Sequence, residues 1–453
     1  MIKIFLITPV LFLFIPGFAQ PYSTGMSFDD EAYEKILVTA PLSRGDFDNL
    51  PHSIDLRPYA PTPGNQGQTG TCTAWSSAYH ARTITESIAL NRTNKSEINK
   101  NTFSPSYIYN QIRLAPGCQK GTYIHQALEL MSKEGVAKFS DMPFNCDRKV
   151  YSSDKQKASS FKIDGFKTLF VNKSNNKILP VKKSLSEKKP VVIGMECATS
   201  FFYAKSLWTP KQEEYQKQFG GHAMVTVGYD DNRYGGAFLV MNSWGEQWGE
   251  RGFVWIKYTD YNHFVKYAFE MIGRPTANKK LSGSMTIALK TGGNIPVRLA
   301  QNGYYISSQD YSSGTQFRLM ISNHQPAYVY ALGSDLTKKS FKIFPHKEGI
   351  SPFLGYQGNN VIIPGEKYWI RMNETVGKDY FCVLYSSKKL DINNILRQLE
   401  TAPGTTFKER LKSVLGTSLL PTAHINYSSN KLNFNAQATK HGIVPIILEI
   451  DHI

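Results

Sequence analysis

The side chains of Gln66, Cys72, His222 and Asn242 have the types and the order along the chain that acyl-transfer chemistry needs. A thiol attacks a carbonyl carbon usefully only as the thiolate, and both a helix N-terminus and a neighbouring imidazolium lower the thiol pKa. An asparagine oxygen can accept the ring N–H of the histidine and fix its orientation. A glutamine amide can donate to the oxygen of a tetrahedral intermediate. The set therefore predicts a cysteine nucleophile, a histidine acting as base and acid, an orienting asparagine and an oxyanion donor.

The segments around these residues predict the elements that must hold them. Small residues recur at helical spacing after Cys72, which predicts a helix from residue 72 to about 90. A second helix is predicted in "YIHQALELMSKEG", ending at Gly135. After about residue 160, the runs "PVVIGMECA", "HAMVTVGYD", "AFLVMNSW" and "GFVWIKYT" are typical of short strands. Helices followed by strands indicate an α+β fold in two facing halves.

Three blocks, in this order, resemble the papain-like cysteine peptidases, in the bacterial branch of that family. They are "NQGQTGTC", "GGHAMVTVGYD" and "MNSWGEQWGERGFVWIKY", and "HSIDLRP" resembles the start of the mature catalytic domain. The resemblance implies a two-lobed catalytic domain over residues 51–275, with a helical left lobe and a β-barrel-like right lobe. It implies Cys72 as nucleophile, His222 as base and acid and Asn242 as orienter. Gln66 and the Cys72 backbone N–H would form the oxyanion hole.

The resemblance also implies positions that bind substrate. Lys120 and Gly121 stand where relatives usually have two glycines that align the substrate backbone, which leaves fine specificity open. Gly194 and Gly221 match positions that line the main side-chain pocket, and Trp244 lies in the asparagine–tryptophan turn. Because two glycines leave that pocket wide, we expect a bulky apolar or aromatic residue at the second position before the cut. We expect no cofactor and no metal. The sequence contains no CxxC pair of the kind that binds zinc.

The five cysteines are an odd number, so at least one thiol stays free. Thr69 stands where many relatives have the cysteine that bonds to the position of Cys118. With that partner missing, Cys146 is the natural alternative, because the two residues bracket one predicted helix and relatives place bridge cysteines in both segments. The resemblance thus favours a Cys118–Cys146 disulfide over two separate free thiols, with Cys72 free and reactive.

The N-terminus predicts export. Residues 1–19 combine a lysine, an apolar stretch from Ile4 to Ile15 and small residues before Gln20, the pattern of a cleaved signal peptide. We therefore expect a secreted or periplasmic protein without a membrane span. The short N-terminal segment of residues 20–50 is too small for the helical inhibitory domain of eukaryotic relatives. It could still plug the cleft, but we expect no removal of a large domain.

Residues 276–390 contain regularly spaced strand patterns with turn residues between them, which predicts a sandwich-like all-β accessory domain. "YSSGTQFRLMISNHQPAYVYAL" and "VIIPGEKYWIRM" resemble a β-rich domain of unknown function that is appended to various bacterial enzymes. Residues 391–453 are predicted as a helical and strand extension. A targeting or surface-binding role and a purely structural role both stay open for this region.

The formal net charge of +16 admits two interpretations. Scattered lysines favour a solvated surface, and a cell-surface or other anionic partner of the C-terminal domain is the alternative. No basic motif interleaved with aromatic residues indicates a specific nucleic-acid partner.

These observations together favour a secreted cysteine endopeptidase that hydrolyses protein or peptide substrates through a Cys-His-Asn acyl-enzyme mechanism. Another Cys-His acyl transfer enzyme, such as a cell-wall amidase or a protein cross-linking enzyme, is the first alternative. A catalytically silent binding protein is the second. The Gln66 block and the Trp244 turn argue against the first, and the presence of every site residue argues against the second.

Overall fold

The computed structural model describes residues 22–273, 279–438 and 442–453. The predicted signal peptide at residues 1–19 and the predicted domain boundary at residue 275 lie outside these ranges. Within them, no helix is long and apolar enough to cross a membrane.

The first half of the chain supplies most of the helices. Cys72 begins a continuous helical run to Ala89, whose middle turns, Trp75–Arg82, have the wider π-helical spacing. The alanines that predicted this helix are fully buried, so its backbone approaches its neighbours closely. The helix predicted before Gly135 is also present, and the positive φ of 93° at Gly135 suits a helix end. The α-helices are α1 (Asp30–Lys35), α2 (Gly45–Asp48), α3 (Cys72–Ala74), α4 (Thr83–Ala89), α5 (Lys95–Lys100), α6 (Pro105–Ile112), α7 (Ile124–Lys133), α8 (Ser152–Ala158), α9 (Ile178–Ser186), α10 (Tyr258–Phe264), α11 (Ile392–Thr401) and α12 (Phe407–Leu415).

An eight-stranded sheet packs against these helices. Its strand order is β2-β8-β3-β5-β6-β7-β4, with β1 paired to β5. The runs predicted as strands after residue 160 coincide with β3, β5, β6 and β7, so the α+β class is confirmed. The strands are β1 (Ser53–Asp55), β2 (Gly165–Thr168), β3 (Val191–Glu196), β4 (Leu207–Trp208), β5 (Gly221–Asp230), β6 (Ala237–Met241), β7 (Phe253–Lys257) and β8 (Val265–Ile272). Short 3₁₀ turns lie at Arg57–Tyr59, Ser159–Phe161, Thr199–Tyr203, Gln212–Gln216, Arg233–Gly235, Gly416–Ser418 and Thr422–His424.

The rest of the chain forms a sandwich of two sheets, as the strand patterns predicted. A seven-stranded sheet has the order β10-β11-β21-β18-β13-β14 with β15 on β13, and a six-stranded sheet has the order β16-β12-β9-β20-β19 with β17 on β12. Apolar side chains of the two sheets share one core, and α11 and α12 cover the outer face of the seven-stranded sheet. The strands are β9 (Lys279–Leu289), β10 (Val297–Gln301), β11 (Tyr304–Ser307), β12 (Gln316–Asn323), β13 (Ala327–Ser334), β14 (Ser340–Phe344), β15 (Phe353–Leu354), β16 (Asn359–Ile363), β17 (Ile370–Arg371), β18 (Gly377–Ser386), β19 (Ile425–Tyr427), β20 (Asn433–Ala438) and β21 (Ile443–His452).

The segment 391–453, predicted as an extension, is built into this sandwich. Its strand β21 lies between β11 and β18, and its strand β20 lies between β9 and β19. Both sheets therefore need strands from this segment as inner members. Strand pairing between distant segments leaves no local signal in a sequence, which is why the pattern suggested a separate piece.

A buried polar cluster joins the sandwich to the first unit. Tyr356, in the turn between β15 and β16, donates its hydroxyl hydrogen to the Glu270 carboxylate of β8 over 2.6 Å. Ser184 donates to the same oxygen over 2.9 Å, and the Lys167 ammonium lies 3.3 Å from the other oxygen. Burial opposes ionisation of Glu270, but the ammonium groups of Lys167 and Lys189 outweigh it and hold the carboxyl pKa below its usual value.

Cys118 and Cys146 form a disulfide, with Cα atoms 5.6 Å apart. It joins the loop before α7 to the loop after it, and it is the pairing that the resemblance favours. Cys72, Cys197 and Cys382 are free and buried. The two cysteines are 28 residues apart in the sequence. In the chain-entropy model, closing a loop of this length stabilises the folded chain by about 3 kcal/mol.

We therefore expect the double variant Cys118→Ala/Cys146→Ala to unfold with about 3 kcal/mol less free energy than the unaltered chain. The loss arises because the unfolded chain regains the freedom that the cross-link removes. Urea unfolding without reductant measures it. Equal unfolding free energies of the two chains would contradict a stabilising role for this bridge.

Candidate active site

Cys72 lies where the helical half meets the sheet. It is the first residue of α3, fully buried, and its sulfur accepts a 3.5 Å hydrogen bond from the backbone N–H of Ala223. Ala223 follows His222 on β5. The thiol and the imidazole thus come from elements 150 residues apart and meet at the boundary between the two halves.

Asn242 fixes the orientation and the tautomer of the His222 ring. The His222 Nε2 and Asn242 Oδ1 atoms are 2.7 Å apart, and the backbone N–H of Ser243 donates to the same Oδ1 over 2.7 Å. Because that N–H fixes Oδ1 as an acceptor, the proton of a neutral His222 ring must sit on Nε2. Trp244 stacks on the imidazole with ring centroids 4.6 Å apart. The Nδ1 atom is buried and has no hydrogen-bond partner among the described residues, which leaves its lone pair available.

The Gln66 amide is fixed from both ends. Its Oε1 atom accepts from the Ser243 hydroxyl over 2.7 Å, and its backbone N–H donates to the Ser243 carbonyl over 2.9 Å. Its Nε2 atom donates to the Thr69 carbonyl over 2.6 Å and to the Ser23 carbonyl over 3.1 Å. Ser243 therefore orients Asn242 and Gln66 together. Ser243 was not predicted as a site residue, although it lies within the "MNSWGEQWGERGFVWIKY" block.

A stretch of the N-terminal segment, residues 22–28, occupies the groove beside these residues; we call it the cleft segment. Its backbone pairs with both walls: Met26 N–H donates to the Gly221 carbonyl over 3.1 Å, and Ser27 N–H donates to the Thr122 carbonyl over 3.0 Å. The Thr122 N–H donates in turn to the Gly25 carbonyl over 2.9 Å. Met26 is thus parallel to Thr122 and antiparallel to Gly221, like the middle strand of a small sheet.

The start of the cleft segment covers the polar end of the site. The Ser23 carbonyl accepts hydrogen bonds from the Gln66 amide, over 3.1 Å, and from the Trp244 indole, over 2.9 Å. Tyr22 stacks on Trp244, with ring centroids 4.9 Å apart. The group that would stabilise a negative oxygen is therefore already engaged by a carbonyl of the chain itself.

The Met26 side chain packs against Gly194 and Gly221, the two glycines that the resemblance assigns to the main side-chain pocket. A Cβ atom on Gly194 would lie 2.7 Å from the Met26 sulfur, and one on Gly221 would lie 2.4 Å from its terminal methyl carbon. Ile124 of α7 lines the same pocket, and Met26 is 4% exposed. Any larger residue at either glycine would displace this side chain.

The other predicted binding positions lie beside the cleft segment in different ways. A Cβ on Gly121 would lie 2.1 Å from the Gly25 oxygen, so the backbones touch there. Lys120 is exposed, and its carbonyl accepts from the Tyr109 hydroxyl over 2.5 Å. Thr122, which sequence reasoning did not single out, makes the backbone pairing instead. No local pattern distinguishes it from its neighbours.

Burial sets the protonation states of the two central groups. It raises the pKa of the Cys72 thiol to about 11, although backbone N–H groups of Ala223, Thr73 and Gly25 act in the opposite direction. It lowers the pKa of His222 to about 4, although the hydrogen bond to Asn242 acts in the opposite direction. Burial therefore disfavours the charged form of both groups, whereas the backbone N–H groups around the sulfur favour the thiolate.

Among the described residues, no group of three histidine, cysteine or acidic side chains is placed to hold a metal ion.

Two family models match this chain, one of them over the residues of the site. A family model described as papain family cysteine protease matches residues 50–270, and a domain of unknown function, DUF4384, matches residues 310–389. An uncharacterized peptidase C1-like protein of Acanthamoeba polyphaga mimivirus is 27% identical over 250 residues, which are 50% of this chain and 75% of that protein. A cysteine protease of Blomia tropicalis is 24% identical over 233 residues, covering 49% of this chain and 67% of that protein.

Among solved structures, one similar protein is xylellain, a cysteine protease from Xylella fastidiosa. The match covers 56% of this chain and 96% of xylellain, with 21% sequence identity and a TM-score of 0.46. The predicted assignment to the bacterial branch of the family stays a prediction.

Protonation of His222 opposes the folded, covered state. Its pKa of about 4 lies below the ordinary 6.5, so between those values the unfolded chain binds a proton that the folded chain does not. The stabilisation is therefore complete above pH 6.5 and is lost as the pH falls toward 4, by about 3 kcal/mol. We expect the unfolding free energy of the unaltered chain to fall more steeply from pH 7 to 4 than that of His222→Gln. Other titrating groups, including buried His80, are common to both chains, so identical pH profiles would contradict this assignment.

Proposed function

Residues 50–270 belong to the papain family of cysteine proteases, and from this premise we propose that the chain is an exported cysteine endopeptidase acting through an acyl-enzyme on Cys72. We propose further that it is latent while the cleft segment stays in place. One observation carries the proposal: side chains from three distant blocks converge on a groove that already holds an extended peptide backbone beside the thiol.

In the proposed reaction, the free Nδ1 atom of His222 takes the thiol proton once substrate replaces the cleft segment. The Cys72 thiolate attacks the peptide carbonyl carbon, and the negative oxygen is stabilised by the Gln66 amide and the Cys72 backbone N–H. The tetrahedral intermediate collapses when the His222 imidazolium donates its proton to the leaving amine. Water, deprotonated by His222, then hydrolyses the thioester. Asn242 keeps the ring in the tautomer that these steps need.

The cleft segment supports this proposal. Its Gly25 N–H is one of the backbone donors that lower the pKa of the Cys72 thiol, as the Ala223 N–H does. Met26 in the pocket of Gly194, Gly221 and Ile124 supports the expected preference for a bulky apolar residue at the second position before the cut.

Export rests on the pattern of residues 1–19 and is supported by the Cys118–Cys146 disulfide, since such bonds persist in oxidising compartments.

We expect Met26→Asp to switch on hydrolysis of a fluorogenic peptide with leucine or phenylalanine at the second position before the cut. A carboxylate in this apolar pocket is costly, so the cleft segment leaves, and the rate rises more than about tenfold over the unaltered chain. Met26→Leu keeps the apolar fit and is the matched control, which should stay latent. An inactive Met26→Asp chain, or full activity of Met26→Asp/Cys72→Ala, would refute the proposed function.

In the Met26→Asp background, we expect Gln66→Ala to lower kcat by about 100- to 1000-fold, the typical loss for one oxyanion donor. Asn242→Ala should keep measurable turnover, because both reacting groups remain, whereas Cys72→Ala should have none. Steady-state kinetics of the three variants tests these roles. A Gln66→Ala variant with unchanged kcat would remove Gln66 from the oxyanion hole.

A further inference from the structure

We propose that the C-terminal sandwich is the docking surface that holds the cleft segment in place, so that access to Cys72 is controlled from outside the peptidase domain. The inference rests on the proposed function of the Cys72 cleft. The contacts concerned are made by the chain between the cleft segment and the start of the peptidase domain. Its residues 29–48, which we call the strap, run from the groove across the boundary between the two units.

The first part of the strap packs on the peptidase domain. Tyr33 of α1 is 1% exposed, and its hydroxyl donates to the Phe170 carbonyl over 2.8 Å and accepts from the Ala268 N–H over 3.2 Å. Its ring stacks on Tyr267 with centroids 4.2 Å apart. With six residues, α1 is too short to be a stable helix on its own, so it depends on this packing and on what anchors its far end.

The middle of the strap is paired with both units at once. Leu37 and Thr39 exchange backbone hydrogen bonds of 3.0 and 2.9 Å with Thr168, at the edge of the peptidase sheet. On the other side, Val38 N–H donates to the Gly349 carbonyl over 2.7 Å, and the Val38 carbonyl accepts from Ser351 N–H over 2.8 Å. One extended stretch therefore serves as a shared strand between the peptidase domain and the sandwich.

The last part of the strap is bound by the sandwich. Ala40 is 2% exposed and belongs to the apolar core of the sandwich. Ser43 N–H donates to the Asn360 carbonyl over 2.9 Å, and the Asp46 carboxylate accepts from Asn360 N–H over 3.1 Å. Asn360 lies on β16, an edge strand of the six-stranded sheet, whose free backbone groups the strap thereby satisfies.

These contacts go beyond what joining two domains requires. The sandwich already docks on the peptidase domain through Tyr356 and Glu270, independently of the strap. The additional contacts of residues 38–46 fix the chain to the sandwich, starting at Val38, ten residues after the end of the cleft segment. A tether of this kind keeps the local concentration of the segment high, so the segment returns to the groove after each opening.

Alkylation of Cys72 by iodoacetamide in the full chain tests the inference, because its rate follows the fraction of molecules with an open cleft and needs no peptidase activity. Ala40→Asp and Asp46→Ala remove the two kinds of sandwich contact without touching the groove. Asp335→Ala is the matched control: this sandwich aspartate also accepts a backbone N–H, but its hydrogen bonds, among the described residues, stay within residues 335–338. Cys382, buried in the sandwich, reports unfolding.

We expect Cys72 labelling to rise about tenfold in both strap variants, the factor that loss of one or two such contacts typically gives, with Cys382 labelling and the Asp335→Ala variant unchanged. If Ala40→Asp also labels Cys382, the sandwich has unfolded and Asp46→Ala alone decides. Unchanged Cys72 labelling in the strap variants, with fast labelling in Met26→Asp, would overturn the role of the sandwich and leave the proposed function intact. Fast labelling of Met26→Asp without peptide hydrolysis would instead count against the proposed function.

Discussion

Backbone hydrogen bonds hold the stretch around Met26 between two walls of the groove, one formed by Thr122 and the other by Gly221. A buried backbone must find partners for its N–H and C=O groups, and here both walls of a peptide-binding groove supply them to a segment of the same chain. The close approach at Gly25 and Gly121 follows from it, since a Cβ on Gly121 would lie 2.1 Å from the Gly25 oxygen. A groove able to pair with a strand from both sides is what a peptidase needs for its substrate.

Burial also affects the electrostatics of the site. It raises the pKa of the Cys72 thiol to about 11 and lowers the pKa of His222 to about 4, so the charged form of each group is disfavoured in the covered site. Asn242, Ser243 and Trp244 hold the reacting groups directly, through hydrogen bonds to His222 and Gln66 and through stacking on the His222 ring.

Much of this arrangement could be predicted from the sequence, because the features concerned are local. Short blocks around Cys72, His222 and Asn242 contain both the reactive side chain and the strand or helix that carries it, so residue types and spacing were sufficient. The cleft segment and the role of Thr122 were not predictable in this way. Met26 and Gly221 are almost 200 residues apart, and nothing in the polar, irregular N-terminal segment indicates which groove it enters. The upward shift of the thiol pKa was not predicted either, because it follows from burial of Cys72, which its local sequence does not show.

Hydrogen exchange of the Met26 and Ser27 amides in the unaltered chain measures whether the cleft segment occupies the groove. Both N–H groups donate to backbone carbonyls of the groove, at 3.1 and 3.0 Å. We expect these two amides to exchange at least about 100-fold more slowly than in an unstructured peptide of the same sequence, and Met26→Asp to remove this protection. Exchange of both amides at the unstructured rate in the unaltered chain would mean that the groove is open and that the cleft segment does not cover Cys72.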